Sequence, residues 1–180
     1  MKKILLYITV VFLVGCSTLK VDVDYDTSYD FKNNTKYTIV HKHRVGENTL
    51  TNDRIISALN NELQAKSYAK VTKDQANLVF VFHVNVRDKT DIRTDYQMVG
   101  YGGYGFGRGF GRGVVETTSA YNYTEGTLIV DALNPKTNKI VWRGIAVDEL
   151  SNSLTTPDKR TKYINEIIKK LMSNFPRKAK

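Results

Sequence analysis

The stretch that decides the fold is TEGTLIVDALNPKTNKIVWRGIAVDEL, residues 124–150. Apolar residues alternate with other residues on both sides of the polar segment NPKTNK, residues 134–139. A period of two is typical of β-strands, and a short polar segment with Asn and Pro is typical of the turn between them. The stretch is therefore predicted to be a β-hairpin. Because a hairpin alone is marginally stable in water, other strands and helices must cover its apolar side.

Four other segments are predicted to be strands of the same sheet. Residues 19–26 alternate between apolar residues and Lys or Asp, and residues 37–41 and 114–123 also have strand patterns. Residues 78–86 are apolar on both sides, which indicates a central strand that the following charged residues continue as far as Tyr96. One side of this strand is predicted to carry Leu78, Phe80, Phe82, Val84 and Val86.

Two amphipathic helices complete the predicted fold. The first begins near Asp53 with Thr51 or Asn52 as its N-cap, and the second begins at Pro157. Each helix has an apolar stripe that would dock on the sheet beside the other helix. We therefore predict an α+β fold with a mainly antiparallel sheet of five to six strands and two helices packed on one face.

The N-terminus has the pattern of an export signal. Two lysines precede an apolar run over residues 4–14, which is too short to span a bilayer as a mature helix. The run ends in LVGC, residues 13–16, which resembles the lipobox of bacterial lipoprotein precursors. That resemblance implies that residues 1–15 are a signal peptide and that Cys16 carries the lipid, with palmitate among the attached acyl chains. Residues 16–180 would then form the single mature domain.

Cys16 is the only cysteine of the chain, so it cannot form an internal disulfide in an exported protein. The alternative is a generic secretory signal with a cysteine placed by chance. Acyl chains stabilise membrane attachment by about 0.8 kcal/mol per buried methylene, so several would hold the protein at the membrane. The residue after the cysteine is Ser17, whereas lipoproteins retained in the inner membrane often have Asp at that position. The resemblance therefore favours the outer membrane, facing the periplasm.

The composition, 41% hydrophobic and 25% charged, is that of a folded globular protein. The 27 Lys and Arg, less Lys2 and Lys3, leave 25 against 18 Asp and Glu, a net charge of +7. In the cell envelope such a surface meets the membrane, an envelope protein or an anionic envelope polymer before it meets nucleic acid.

Residues 100–113 contain eight glycines among 14 residues and are predicted to be a flexible loop between two strands. Their G-x-G-x-x-G spacing is not followed by a strand-to-helix junction, so it does not indicate dinucleotide binding. Two arginines are too few for a typical RNA-binding segment. The loop is either a solvated spacer or a contact for a partner, since tyrosine and arginine are favoured at interfaces. The candidate contact residues are Tyr101, Tyr104, Phe106, Arg108, Phe110 and Arg112.

The chain lacks the usual catalytic motifs. It has no G-x-S-x-G and no H-E-x-x-H sequence, so the residues that a nucleophile-based or zinc-based hydrolase needs are not indicated. Glu125 and Asp131 are predicted strand-edge residues, although Asp131, Asp148 and Glu149 could form a carboxylate pair in three dimensions. Trp142 is the expected core anchor and Arg143 its outward neighbour. We predict a protein that is not an enzyme and has no cofactor.

Metal binding is also not predicted. His41 and His43 could share one face of a strand, but only His83 remains as a further histidine, so both are expected to be solvated. Asp22, Asp24 and Asp26 lack the Gly and Glu that a calcium loop needs. They are expected to be charged residues that protect an edge strand.

The sequence is similar to the bacterial envelope lipoprotein family numbered 4136 among the domains of unknown function. The similarity covers almost all of the mature chain, and its most specific part is the hairpin, with EGTL at residues 125–128 and VWRG at residues 141–144. The family usually has Asp at the position of Asn77 and glycine near Ser67 and Asn138, so two turns are expected to differ here. The resemblance implies a fold and a location, but no activity.

Two hypotheses for the function remain. The first is a non-enzymatic binding or structural module of the envelope that uses the glycine-rich loop and the basic C-terminal tail as contacts. The alternative is a small-ligand carrier, or an auxiliary subunit of an envelope transport system, that uses an apolar groove between the sheet and the helices.

Overall fold

The computed structural model describes residues 18–42, 46–99 and 113–176. Within these residues the chain forms six strands, two α-helices and a short 3-10 helix at Lys73–Gln75. The elements are β1 (Lys20–Tyr25), β2 (Lys36–Ile39), α1 (Thr49–Ala65), β3 (Ala69–Lys70), β4 (Leu78–Val99), β5 (Gly113–Asn134), β6 (Lys139–Glu149) and α2 (Pro157–Met172).

The strands form one sheet in the order β1-β6-β5-β4-β2-β3. All pairs are antiparallel except β2 with β3 and β2 with β4. This arrangement confirms the predicted α+β fold. The segments 114–123 and 124–133, predicted as separate strands, are one strand because β4 pairs with β5 along its whole length. The acidic strand β1 lies at the edge of the sheet, as predicted.

Both helices pack on the same face of the sheet and share one core with it. Strand residues that alternate along β4, β5 and β6 point into this core, which explains the period of two in the sequence. The largest fully buried side chains are Trp142, Tyr37, Phe80, Phe82, Phe175, Leu59, Leu63, Leu78, Ile168, Leu171, Met172 and Val130.

The first helix begins earlier than the sequence predicts. Asn48 is the N-cap, because its side chain accepts a hydrogen bond from the Thr51 amide at 3.1 Å. The prediction of a start near Asp53, capped by Thr51 or Asn52, is therefore wrong. Asn52 is unsuited to cap the helix because its side-chain amide lies against His41 and Glu47.

The VWRG motif in β6 places neighbouring side chains on opposite faces of the sheet. Trp142 is fully buried in the core, as predicted. Arg143 lies on the other face, where its guanidinium donates to both carboxylate oxygens of Asp131, with distances of 2.6 and 2.8 Å. Such bidentate pairs are among the stronger hydrogen-bonded ion pairs in proteins. The motif therefore links the core to an ion pair on the outer face.

Two acidic residues of β5 are not at the edge of the sheet. Asp131 is only 5% exposed, because β5 lies between β4 and β6 and Arg143 of β6 covers its carboxylate. Glu125 also lies in β5, and its carboxylate pairs with the Lys89 ammonium of β4 at 2.8 Å. The prediction that Glu125 and Asp131 are strand-edge residues is therefore wrong, since both pair with a basic residue on a neighbouring strand.

Gly144 leaves room for the tryptophan ring. A Cβ atom at this position would lie 2.5 Å from Cη2 of Trp142 and 2.8 Å from Cδ1 of Leu171. Both neighbours are fully buried, so neither has space to move away. In this motif, the large inward side chain of Trp142 therefore requires a residue without a side chain at position 144.

Gly144→Ala is expected to lower the free energy of unfolding by about 1–3 kcal/mol, because the added methyl overpacks the core. Urea denaturation followed by circular dichroism measures the change. Gly126→Ala is the matched control. Its added Cβ would meet only the Leu150 side chain, at 3.0 Å, so the loss should be smaller. An equal loss in both variants would show that the contact with Trp142 is not the cause.

Ser67 and Asn138 have left-handed backbone conformations, with φ of 69° and 53°. Ser67 follows the C-cap of α1, and the Tyr68 amide donates to the Leu63 carbonyl at 3.0 Å in a Schellman arrangement. These are the two positions near which the resembling family has glycine. The expected difference in turn geometry is therefore not seen, because both turns keep the backbone that glycine favours.

Ser67→Gly is expected to raise the free energy of unfolding by about 1 kcal/mol, because glycine has no Cβ penalty in this conformation. Thermal and urea unfolding of the same variant measure it. Asn138→Gly should give a smaller gain, since asparagine tolerates the left-handed region. Ser173→Gly is the control, because Ser173 has a φ of −56° and glycine there should stabilise nothing. A gain at Ser173 equal to that at Ser67 would refute the conformational explanation.

Strands β4 and β5 extend beyond the rest of the sheet. They pair as far as Val99 with Gly113, whereas β6 pairs with β5 only as far as Glu125. Residues 88–99 and 113–124 thus form a two-stranded ribbon, which we call the arm. Its 12 residue pairs span about 40 Å at roughly 3.3 Å per residue.

Candidate functional site

An apolar groove of about 420 Å³ lies between the sheet and the two helices, next to the arm. Its floor consists of sheet residues Val84, Val86, Gly126, Leu128 and Ala146. Its walls come from Ile55 of α1, from Ile164 and Ile167 of α2, and from Leu150 and Leu154 after β6. We refer to the space that these residues enclose as the groove.

The groove exists because the inward side of β4 continues past the helices. Val84 and Val86 lie on the same side of the strand as Phe82, as the sequence predicts, but they are 45% and 54% exposed whereas Phe82 is 1% exposed. The period of two shows the side of the sheet, but not how far the helices reach. The sequence does contain one sign of an open groove. The apolar row of β4 is longer than the apolar stripes of the two helices can cover.

One end of the groove carries a polar cluster around His41. The His41 ring stacks on Phe82, with centroids 4.3 Å apart, and its Nε2 atom lies 2.9 Å from Glu47 Oε2. Asn52 Nδ2 lies 3.0 Å from His41 Nε2 and 3.2 Å from the same Glu47 oxygen. The expectation that His41 is solvated is wrong, because its side chain is only 8% exposed.

The other end carries Asp148. The Tyr163 hydroxyl donates to Asp148 Oδ2 at 2.9 Å, and the Thr18 hydroxyl donates to Oδ1 of the same carboxylate. Burial, together with the hydrogen bond to Asp148, raises the pKa of Tyr163 above its ordinary value. Tyr163 is therefore a hydrogen-bond donor at neutral pH and remains one at alkaline pH values where an ordinary tyrosine loses its proton. Arg160 lies nearby, with Nε 2.9 Å from the Leu154 carbonyl.

The three carboxylates that could have formed an acid and base pair have separate partners. Asp131 binds Arg143, Asp148 accepts from Tyr163, and Glu149 accepts from the Tyr121 hydroxyl at 2.6 Å. Among residues 18–42, 46–99 and 113–176, no three His, Cys, Asp or Glu side chains are grouped to hold a metal ion. The groove thus offers apolar surface and hydrogen-bonding groups.

Several predicted site residues lie outside the described residues. These are the predicted lipidation site Cys16, the second histidine His43, and the candidate contact residues Tyr101, Tyr104, Phe106, Arg108, Phe110 and Arg112. Their roles stay predictions. The glycine-rich segment connects the two strands of the arm. Neither helix in the described part of the chain has the length and apolar character needed to span a membrane.

The described residues define an α+β domain with an open apolar groove. The chain belongs to the family described as a domain of unknown function, DUF4136, whose model matches residues 21–177. No curated protein matches the chain.

Solved structures resemble the chain at low sequence identity. A PDZ domain protein from Parabacteroides distasonis is 12% identical with a TM-score of 0.51, over 89% of this chain and 36% of that one. The PelC dodecamer from Paraburkholderia phytofirmans is 10% identical with a TM-score of 0.48, over 86% and 95%. A putative neuraminyllactose-binding hemagglutinin homolog from Helicobacter pylori is 11% identical with a TM-score of 0.40, over 85% and 92%. The likeness to the first of these structures concerns the fold alone.

Proposed function

We propose that this protein is a membrane-anchored, non-enzymatic binding protein of the bacterial cell envelope that holds a ligand with an apolar chain in the groove. The observation that carries the proposal is the exposure of Val84 and Val86 on the groove floor. Apolar side chains that line a concave surface and remain open to solvent are typical of a binding site.

The polar groups at the two ends of the groove suit an amphipathic ligand. Its apolar chain would cover Val84, Val86 and Leu128, while its head would meet the cluster of His41 and Asn52 or the side of Asp148 and Arg160. A volume of about 420 Å³ lies within the range of small-molecule sites, roughly 300–1,000 Å³. A lipid, which has both an apolar acyl chain and a polar head, is the ligand class that combines these properties.

The position of the N-terminus supports a membrane lipid as the source of that chain. Leu19 lines the groove, and Thr18 is tied to Asp148 at its end. Cys16 is two residues before Thr18, so covalent geometry limits the separation to about 7 Å at roughly 3.3–3.6 Å per residue. A lipid on Cys16 would therefore bring the groove close to the membrane surface.

Val86→Glu tests the groove. We expect the variant to fold, because Val86 is already half exposed, but to bind dansyl-undecanoic acid at least about tenfold more weakly, since the ligand would bury the new carboxylate. Fluorescence titration measures the affinity. Ile140→Glu is the matched control, because Ile140 is 44% exposed and lies outside the groove. A parent protein that does not bind the probe, or a Val86 variant that binds it normally, would count against the proposal.

Cys16→Ser tests the anchor separately. We expect loss of the acyl mass from the mature chain and loss of the protein from the membrane fraction, because the thiol is the predicted attachment point. Intact mass spectrometry and fractionation of cells measure the two effects. Ser17→Ala should keep the lipid, and Ser17→Asp should keep it while retaining the protein in the inner membrane. A Cys16 variant that keeps the acyl mass and its place in the membrane fraction would refute the anchor.

A further inference from the structure

The arm has a free edge along β4. Strand β2 pairs with β4 only from Leu78 to Phe80, and no other described strand pairs with that edge of β4. The side chains of residues 88–96 are exposed on both faces of the arm. A two-stranded ribbon is marginally stable in water, and an unpaired edge is a template for another strand. The arm therefore lacks the third and fourth strands that would stabilise it.

The backbone groups at this edge can be assigned to particular residues. The Val40 amide donates to the Phe80 carbonyl at 2.8 Å, so Phe80 directs its backbone groups away from β5. Alternate residues of a strand point the same way, and the pairing of β4 with β5 has no register shift between Val79 and Val99. Even-numbered residues, including Ile92, therefore present their N–H and C=O groups at the free edge.

The hydrogen bonds of β5 lead to the same assignment of backbone groups in β4. The Leu150 amide donates to the Thr124 carbonyl at 2.8 Å, so even-numbered residues of β5 face β6 and odd-numbered residues face β4. The odd-numbered residues of β4 are thus occupied by β5, because Asp91 pairs with Tyr121 and Arg93 with Ser119. The even-numbered residues of β4 in the arm are therefore left for a new strand.

The charges along this edge alternate in sign. Lys89, Asp91, Arg93 and Asp95 lie on one face of the arm, two residues apart. Charged side chains, especially lysine, commonly protect an exposed edge from pairing with other strands. A row of alternating sign, however, is also complementary to a reversed copy of itself.

One antiparallel register matches all four charges. With a two-fold axis at Ile92, Lys89 faces Asp95 of the partner subunit, and Asp91 faces Arg93 of the partner subunit. Moving the axis to residue 91 would pair Lys89 with Arg93 of the partner subunit. Moving it to residue 93 would pair Asp91 with Asp95 of the partner subunit. Opposite charges stabilise such cross-strand pairs and like charges destabilise them.

We propose that two copies of this chain associate through the free β4 edges of their arms, in antiparallel register about a two-fold axis at Ile92. The two arms form one four-stranded sheet in which the even-numbered residues make the new backbone hydrogen bonds. The interface is isologous, as expected for a symmetric dimer. On the face opposite the charges, Ile92 meets Ile92 of the partner subunit.

Disulfide trapping tests the register in cells that produce the full chain. In a hydrogen-bonded antiparallel pair the Cα atoms are about 5.5 Å apart, a distance suited to a disulfide. Ile92→Cys should therefore give a covalent dimer on a non-reducing gel. Thr90→Cys alone should not, because its two copies would lie about 13 Å apart at roughly 3.3 Å per residue. The double variant T90C/T94C should again give a dimer.

The parent chain, which contains only Cys16, controls for disulfides formed by that residue. Equal dimer formation by Ile92→Cys and Thr90→Cys, or its absence from both Ile92→Cys and T90C/T94C, would overturn the proposed register.

Charge reversal tests the same interface without cysteines. Asp91→Lys and Arg93→Asp should each weaken association about tenfold or more, because two attractive cross-strand pairs become repulsive. The double variant D91K/R93D should restore association, since opposite charges face each other again. Analytical ultracentrifugation of the detergent-solubilised full chain measures the equilibrium. A monomeric parent at the highest soluble concentration, or a double variant no better than the singles, would refute the dimer.

Discussion

The packing of aromatic rings around Phe175 is the contact on which the rest of the domain depends. Its ring lies 5.1 Å from Trp142, 5.3 Å from Tyr68, 5.5 Å from Phe80 and 5.7 Å from Phe31, measured between centroids. Edge-to-face and tilted arrangements such as these add to the stabilisation from burial. The cluster joins the end of the second helix to the hairpin, the central strand and the loop after β1. It holds the helix layer at one end of the sheet.

The groove results from the position of the helices at one end of the sheet. With the helices held near Phe175, the inward row of β4 extends beyond the helices and ends in the exposed Val84 and Val86. Nothing in the strand itself changes at this point, because pairing with β5 continues without interruption. An open apolar surface thus arises from a difference in length between two layers.

The first described residues, the groove and the arm follow one another along the molecule. The chain enters the domain beside the groove, through Thr18 and Leu19. The arm begins where the groove floor ends, two residues after Val86. In the arrangement that we propose, a membrane lipid reaches the groove near the anchor, while the arm joins two copies of the protein away from the core.

Local patterns in the sequence were enough to predict the hairpin of β5 and β6, the burial of Trp142 and the α+β class. Those features depend on periodicity and turn residues, which neighbouring positions encode. The start of α1 was not predictable in this way, because Asn48 and Asn52 are both suitable caps. Its contacts with His41 and Glu47, which precede the helix, make Asn52 unavailable.

The partners of charged residues also depend on distant parts of the chain. Asp131 looks like an edge residue in isolation, but β6 places Arg143 beside it. The groove has the same origin, since its floor, walls and polar ends come from strands and helices far apart in sequence. The sequence alone therefore determined which segments become strands and helices and which side of each is apolar. Tertiary packing decided where the helices stop along the sheet, and so which apolar residues remain open to a ligand.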